Sequence, residues 1–331
     1  MKVQNILIYS LFFCILCTCV LNVHGQNPNS QIKGGYLFAH MRHEDYGHLY
    51  YYISRDARTW TKLNGNQRIN AEYRGHPDII KGHDNRYYMI GVSEKEQKPL
   101  LWVSRDLVVW NIEKELPVHP FVLDDNYYTE RNWFGAPKLY YDEDSKRYIV
   151  TWHAAKKGLN GNDEWRSMRT YYVLTEDFSS FTSPKRLFNF SGKADSEMAT
   201  IDVIIRKVDG NYYAIIKDER WPEDGVLTGK TIRLAKSSHL TGPYSLINPA
   251  HPVTTPNTYY EAPILMPKLD NKGWMIFSER YPHEYVRFDA DHIESEKWEV
   301  CSCKIPDSRH GAMVRLSEEE YNHVIKSFSN K

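Results

Sequence analysis

The sequence predicts an all-β protein, a five-bladed β-propeller whose ring is closed by pairing of the C-terminal strand with the N-terminal blade. Three observations lead there. Strand-like segments of one kind recur at a spacing of roughly 50 to 65 residues. Polar turns precede most of them as hairpin punctuation. Apart from an apolar N-terminus and "SEEEYNHVIKSF" near the C-terminus, the chain shows no long helical period.

The recurring segments are "GYLFAHM" (35–41), "RYYMIGV" (86–92), "RYIVTWH" (147–153), "NYYAIIK" (211–217) and "GWMIFSE" (273–279). The last four follow "GHDN", "DEDSK", "VDG" and "LDNKG", so each reads as the second arm of a hairpin. Their first arms are "GHPDII" (75–80), "GAPKLYY" (135–141), "TIDVIIR" (200–206) and "EAPILMP" (261–267). "GYLFAHM" has no first arm before it, and "RHGAMVRL" (309–316) is the run that would pair with it. Third strands follow in "LYYYISRDARTW", "LLWVSRDLVVW", "TYYVLTEDFSSF", "IRLAKSSHLTGPY" and "HEYVRFDADHIESEKW". The period and strand content together give the propeller. The rival all-β sandwich would need the matching hairpins to recur by chance.

Lys2, the apolar run Ile6 to Leu21 and "NVHGQ" read as a cleaved secretory signal over residues 1–25, leaving 26–331 as one propeller domain. At about 16 residues the run is short for a membrane span. The expected location is secreted or periplasmic, with a lipoprotein acylated at Cys19 as the rival. Cys14, Cys17 and Cys19 fall in this segment, so the mature protein keeps Cys301 and Cys303 and has no disulfide framework.

Lysine plus arginine and aspartate plus glutamate both number 42, so no long-range field favours nucleic acid or an anionic membrane. Aromatics make up 14% of the chain, with 24 Tyr and 9 Trp, and no basic patch accompanies them. That combination favours stacking on a neutral sugar over binding a phosphate backbone. The expected partner is an oligosaccharide or polysaccharide, and the chain is expected to be a monomer.

In a propeller the innermost strands line the axis, so polar residues at the start of first arms converge on one pocket. Glu261, Asp202, His76 and Asp78 would meet there with His310 of the closing strand. His76 and Asp78, two apart, would share a strand face. Clustered carboxylates among aromatics suit glycoside hydrolysis, in which one group protonates the leaving oxygen and another activates water. Glu261, after Tyr259 and Tyr260 and before an apolar run, is the better acid because desolvation raises a carboxyl pKa. Asp202, inside "ATIDVIIR", is a buried carboxylate that needs a partner or a role.

At these residues the sequence resembles glycoside hydrolase family 43, over nearly the whole mature chain. "EAPIL" is similar to the family's E-G-P segment, which implies that Glu261 is the general acid. "TIDVIIR" is similar to its I-D-P segment, which implies that Asp202 tunes the acid. "GAPKLYYDEDSKRYIVTW" resembles a further motif, with Trp133 two residues early and Lys138 where an acidic residue is usual. "KDERW", "SERY" and "RHG" would add Glu219, Arg280 and His310 to substrate binding, together with His76 and Trp133.

The general base is the departure. The family's R-D-P reads Gly75-His76-Pro77 here, and an aspartate follows the proline. Asp78 is the favoured base and His76 the alternative. The resemblance implies an inverting, exo-acting enzyme for arabinofuranosides, xylosides or galactosides on the side chains of plant or other complex polysaccharides. Two other readings stay open: a carbohydrate-binding propeller that has lost the base, and a two-glutamate site using Glu130 with Glu261. No metal-ligand spacing indicates a catalytic metal, and no cofactor is required. A structural calcium near His310 is implied by the resemblance.

Overall fold

The structure is a computed structural model that describes residues 33–93, 98–123, 126–129, 136–192, 196–256 and 258–329. Trp133, Glu130 and the signal segment lie outside the described residues. Five antiparallel sheets make up nearly all of the described fold, which is a five-bladed β-propeller.

Blade 1 runs Arg309–Leu316, Gly35–Met41, Tyr50–Ser54 and Thr61–Lys62, so it draws one strand from late in the chain and three from early in it. In blade 2, Tyr73–Arg74 and Ile80–Lys81 both pair with Tyr87–Ser93, which is followed by Pro99–Ser104 and Asn111–Glu115. Blade 3 runs Lys138–Asp142, Arg147–Lys156, Arg169–Thr175 and Lys185–Arg186, with Tyr127–Thr129 on the far end of its second strand. Blade 4 runs Thr200–Val208, Asn211–Asp218, Ile232–Ser237 and Ser245–Ile247. Blade 5 runs Tyr260–Pro267, Trp274–Arg280, Glu284–Ala290 and Glu299–Pro306.

The first strands of neighbouring blades lie against one another. Thr200–Val208 touches both Lys138–Asp142 and Tyr260–Pro267, and the latter touches Arg309–Leu316. Gly35–Met41 is buried along its whole length, because each blade's second strand is covered on both faces by the blades beside it. That double cover is why these segments read as continuous apolar runs instead of alternating ones. The apolar cores accordingly sit between blades: Tyr88, Tyr148 and Phe178 join blades 2 and 3, and Ile215, Ile264 and Phe277 join blades 4 and 5.

The repeated S-x-D and T-x-D turns are cross-braced by their own aspartates. Asp56 Oδ1 accepts from the amides of Arg58 and Thr59, Asp106 from Val108 and Val109, and Asp177 from Ser179 and Ser180. Such side-chain to backbone bonds stabilise a turn locally, which explains the motif without any catalytic role. The expected C-terminal helix spans Glu318–Ser329. Ser317 and Glu320 bond each other's amides as a capping box, and Tyr321, Val324 and Phe328 pack into the core shared by blades 1 and 2.

Candidate active site

The inner strands of blades 4 and 5 carry the same distortion. In blade 4 Asp202 and Val203 stand opposite Ile216 alone, and in blade 5 Ala262 and Pro263 stand opposite Ser278 alone. These β-bulges re-aim the chain near the axis. Asp202 and Ala262 have φ of +51° and +43°, and Ala136, before Pro137 in blade 3, has +47°. A positive φ at alanine is unfavourable, whereas aspartate tolerates it better. Ala262 therefore holds a backbone conformation that glycine adopts without strain.

The bulges open onto a cavity of about 580 Å³ whose lining includes His76, Asp202, Glu219, Glu261, Arg309 and His310. Glu261 is mostly buried, with Oε1 3.7 Å from Lys217 Nζ and Oε2 3.7 Å from His310 Nε2 and 4.0 Å from Arg309. Burial raises its pKa; Lys217 opposes this, and the carboxylates of Glu219 and Asp202 reinforce it. Asp202 Oδ2 accepts from the amide of Ala262, 3.3 Å away, so one carboxylate steadies the backbone beside the other.

A buried ion network lies behind Glu261. Lys217, with no exposed surface, sits 3.1 Å from Glu219 Oε2, and Lys230 bonds the other oxygen of Glu219. Although burial works against the ammonium of Lys217, Glu219 and Glu261 hold its pKa above the ordinary value. On the other side Arg309 pairs with the fully buried Glu279, whose Oε2 accepts from the His310 amide at 3.0 Å. Burial, partly offset by Arg309, pushes Glu279 up to about 8. Arg309 also lies over the Tyr281 ring at 4.8 Å.

The His76 and His310 rings face each other with centroids 4.3 Å apart, and the Tyr46 hydroxyl lies 2.9 Å from His76 Nε2. Burial drives both imidazoles well below their ordinary pKa, so they are neutral at neutral pH; for His76 the nearby His310 adds to this and Asp202 opposes it. Trp221, Tyr259, Trp165 and Tyr281 supply aromatic wall to the cavity. Trp165 and Asn162 arrive on a short helix, Gly161–Arg166.

The structure thus brings His76, Asp202, Glu219, Glu261 and His310 to one cavity. Two expectations need correction. Asp78 does not line it: the carboxylate is buried and accepts from the Leu139 amide at 2.6 Å. The shared face with His76 assumed a regular strand, yet Gly75 to Ile79 lies between two short strands and is not itself paired. Arg280 also lies outside the lining and pairs with Glu284, while Arg309 is the arginine that reaches the cavity. Arg309 directly precedes His310 in "RHG", a signal that sequence reasoning passed over. Lys217 and Trp221, within the quoted "KDERW", and Glu279, within "SERY", were likewise missed as individual groups.

His76, Asp202 and His310 place ligand-capable atoms within 4.8 Å of one another. Two imidazoles and one carboxylate do not make the shell of about six to eight oxygens that calcium takes, so most of its ligands would have to be water.

A five-bladed propeller with carboxylates, histidines and aromatics around an axial cavity is the architecture of a propeller hydrolase. The model of a family described as "Probable glycosyl hydrolase domain", related to glycosyl hydrolase family 43, matches residues 32–322, and the chain belongs to that family. An α-L-arabinofuranosidase of Bifidobacterium longum subsp. longum is 31% identical over 195 residues, covering 50% of this chain. This chain spans 17% of that relative's length. Among solved structures, a thermostable family-43 glycoside hydrolase shares the fold with a TM-score of 0.51 at 14% identity, over 83% of this chain and 92% of its own. The exo-β-1,3-galactanase 1,3Gal43A of Clostridium thermocellum has a TM-score of 0.51 at 16% identity, over 72% of this chain and 50% of its own.

Proposed function

We propose that this protein is a secreted, monomeric glycoside hydrolase that removes terminal sugars from polysaccharide side chains with inversion, and that α-L-arabinofuranosides are its first substrate class. The observation that carries this is Glu261: a carboxyl group mostly buried at the wall of an axial cavity, with its pKa raised by that burial, in a chain of this family. The sugar assignment rests on the arabinofuranosidase relative. A cavity of about 580 Å³ suits one or a few sugar rings better than a long polymer, which favours exo action.

Glu261 protonates the leaving oxygen. Asp202 keeps the proton on Glu261 through its negative charge and holds the Ala262 amide that follows the acid. His76, at the family's base position, is neutral and orients the attacking water, taking its proton as charge develops. Asp202 offsets the resulting imidazolium charge, as its upward pull on the His76 pKa indicates. Glu219 is tied by two lysines and serves to hold them and bind sugar. A calcium held through water beside His310 would be structural.

The test is release of nitrophenol from nitrophenyl arabinofuranoside, xyloside and galactoside by wild type, His76→Ala and Asp78→Asn. The expected result is turnover on the arabinofuranoside, a loss of about 10²-fold or more in His76→Ala, and near-wild-type turnover per folded molecule in Asp78→Asn. Loss confined to Asp78→Asn would return the base role to that aspartate. Saturable oligosaccharide binding without turnover on any glycoside would leave a carbohydrate-binding propeller.

A further inference from the structure

Independently of the proposed active site, the outer strand of blade 5 holds a pair of cysteines in an arrangement with its own chemistry. Glu299–Pro306 contains Cys301-Ser302-Cys303 and is the edge of its sheet. Its pairing sets Val286 opposite Lys304 and Phe288 opposite Val300, so Arg287 alone faces all three residues of the tripeptide. This bulge draws the cysteines together. The Cys303 thiol donates to the Cys301 sulfur at 2.6 Å, and the Cys303 amide points to the same sulfur at 3.4 Å.

Both cysteines are partly exposed, so a small reagent can reach them. The Arg287 guanidinium interacts with both sulfurs. It is fixed by Asp289 and by the carbonyl of Ala57, which keeps a positive charge beside the pair. Burial, reinforced by the bond to Cys301, pushes the Cys303 thiol up to about 12, and the geometry makes Cys303 the donor and Cys301 the acceptor sulfur of the pair.

We propose that Cys301 and Cys303 form a redox site that closes as an intramolecular disulfide by exchange with a small-molecule disulfide. The Cys301 thiolate attacks one sulfur of that disulfide, forming a mixed disulfide and expelling one thiolate. Cys303 gives its proton to the thiolate expelled first, then attacks the Cys301 sulfur and expels the second. The dithiol loses two electrons and two protons, and the small disulfide leaves as two thiols. Closing so short a loop removes little freedom from the unfolded chain, so the bond's effect on global stability is small. Its effect is local: it pins a bulge on an unpaired sheet edge, where bulges discourage edge-to-edge pairing.

The test is incubation of the folded full chain with oxidised glutathione, alkylation with iodoacetamide, and tryptic mass mapping. Cleavage after Lys297 and Lys304 puts both cysteines in the peptide Trp298 to Lys304. The expected peptide is unlabelled, lighter than the dithiol by two hydrogens, and takes two labels after dithiothreitol. Two labels without reductant, or a stable glutathione adduct on one cysteine of the wild type, would overturn the proposal. Cys301→Ser is expected to give no lightened peptide under the same treatment; a lightened peptide in that variant would also contradict it.

Discussion

Glu261 lies 3.7 Å from the ammonium of a fully buried lysine, which at first sight is the wrong neighbour for the proton donor proposed above. Burial decides the balance. It raises the Glu261 pKa, and Lys217 opposes that rise without cancelling it. The pair therefore sets the acid's working range, and removing Lys217 has a predictable sign. In Lys217→Met the lowering influence disappears, Glu261 keeps its proton to higher pH, and the alkaline limb of kcat/KM moves upward. A pH profile of the two proteins checks this; an unchanged or downward-shifted limb would count against Glu261 as the acid. Motif position made Glu261, Asp202 and His310 legible from sequence, because each stands near the start of an inner strand. Asp78 misled because two-residue alternation holds only in a paired strand, and the proline-containing segment around it is not one. Tyr46 comes from a loop and Trp165 from the helix Gly161–Arg166, which at 6 residues is too short to show a period.

At the scale of elements, the hairpins were readable from their turns and the C-terminal helix from its period. The bulges were not, since a bulge leaves composition unchanged and shows only in the register. One lies at the end of Gly35–Met41, where the register with Arg309–Leu316 shifts between His40 and Met41. His40 is fully buried there, its Nδ1 2.8 Å from the Met41 carbonyl oxygen and its ring stacked on Phe38. Burial, partly offset by that bond, lowers its pKa from 6.5 to about 4. Above pH 6.5 the ring is neutral in both folded and unfolded chains. Below that the unfolded chain binds the proton first, so stability falls as pH drops from 6.5 towards 4. The loss amounts to about 3 kcal/mol. Denaturant titrations across this window should show that fall in wild type and a shallower one in His40→Gln. Equal slopes would place the acid sensitivity elsewhere, as in the buried pair His76 and His310.

At the scale of the molecule, the ring brings together groups as far apart in sequence as Tyr46 and His310. Blade 1 makes this geometry by taking its innermost strand from residues 309–316, so His310 and Arg309 complete a cavity begun by His76. Five recurring strand segments of one kind predicted the ring and the convergence on its axis. Which side chains of each inner strand turn inward depended on bulges at Asp202 and Ala262 that only the folded register reveals. In the proposed mechanism this convergence makes Glu261 the proton donor to a glycosidic oxygen. Its most direct test compares wild type with Glu261→Gln on an arabino-oligosaccharide and on a nitrophenyl arabinofuranoside, whose leaving group needs little protonation. A loss of about 10² to 10⁴-fold is expected on the oligosaccharide and a much smaller one on the nitrophenyl substrate. Equal turnover of the oligosaccharide by the two proteins would contradict it.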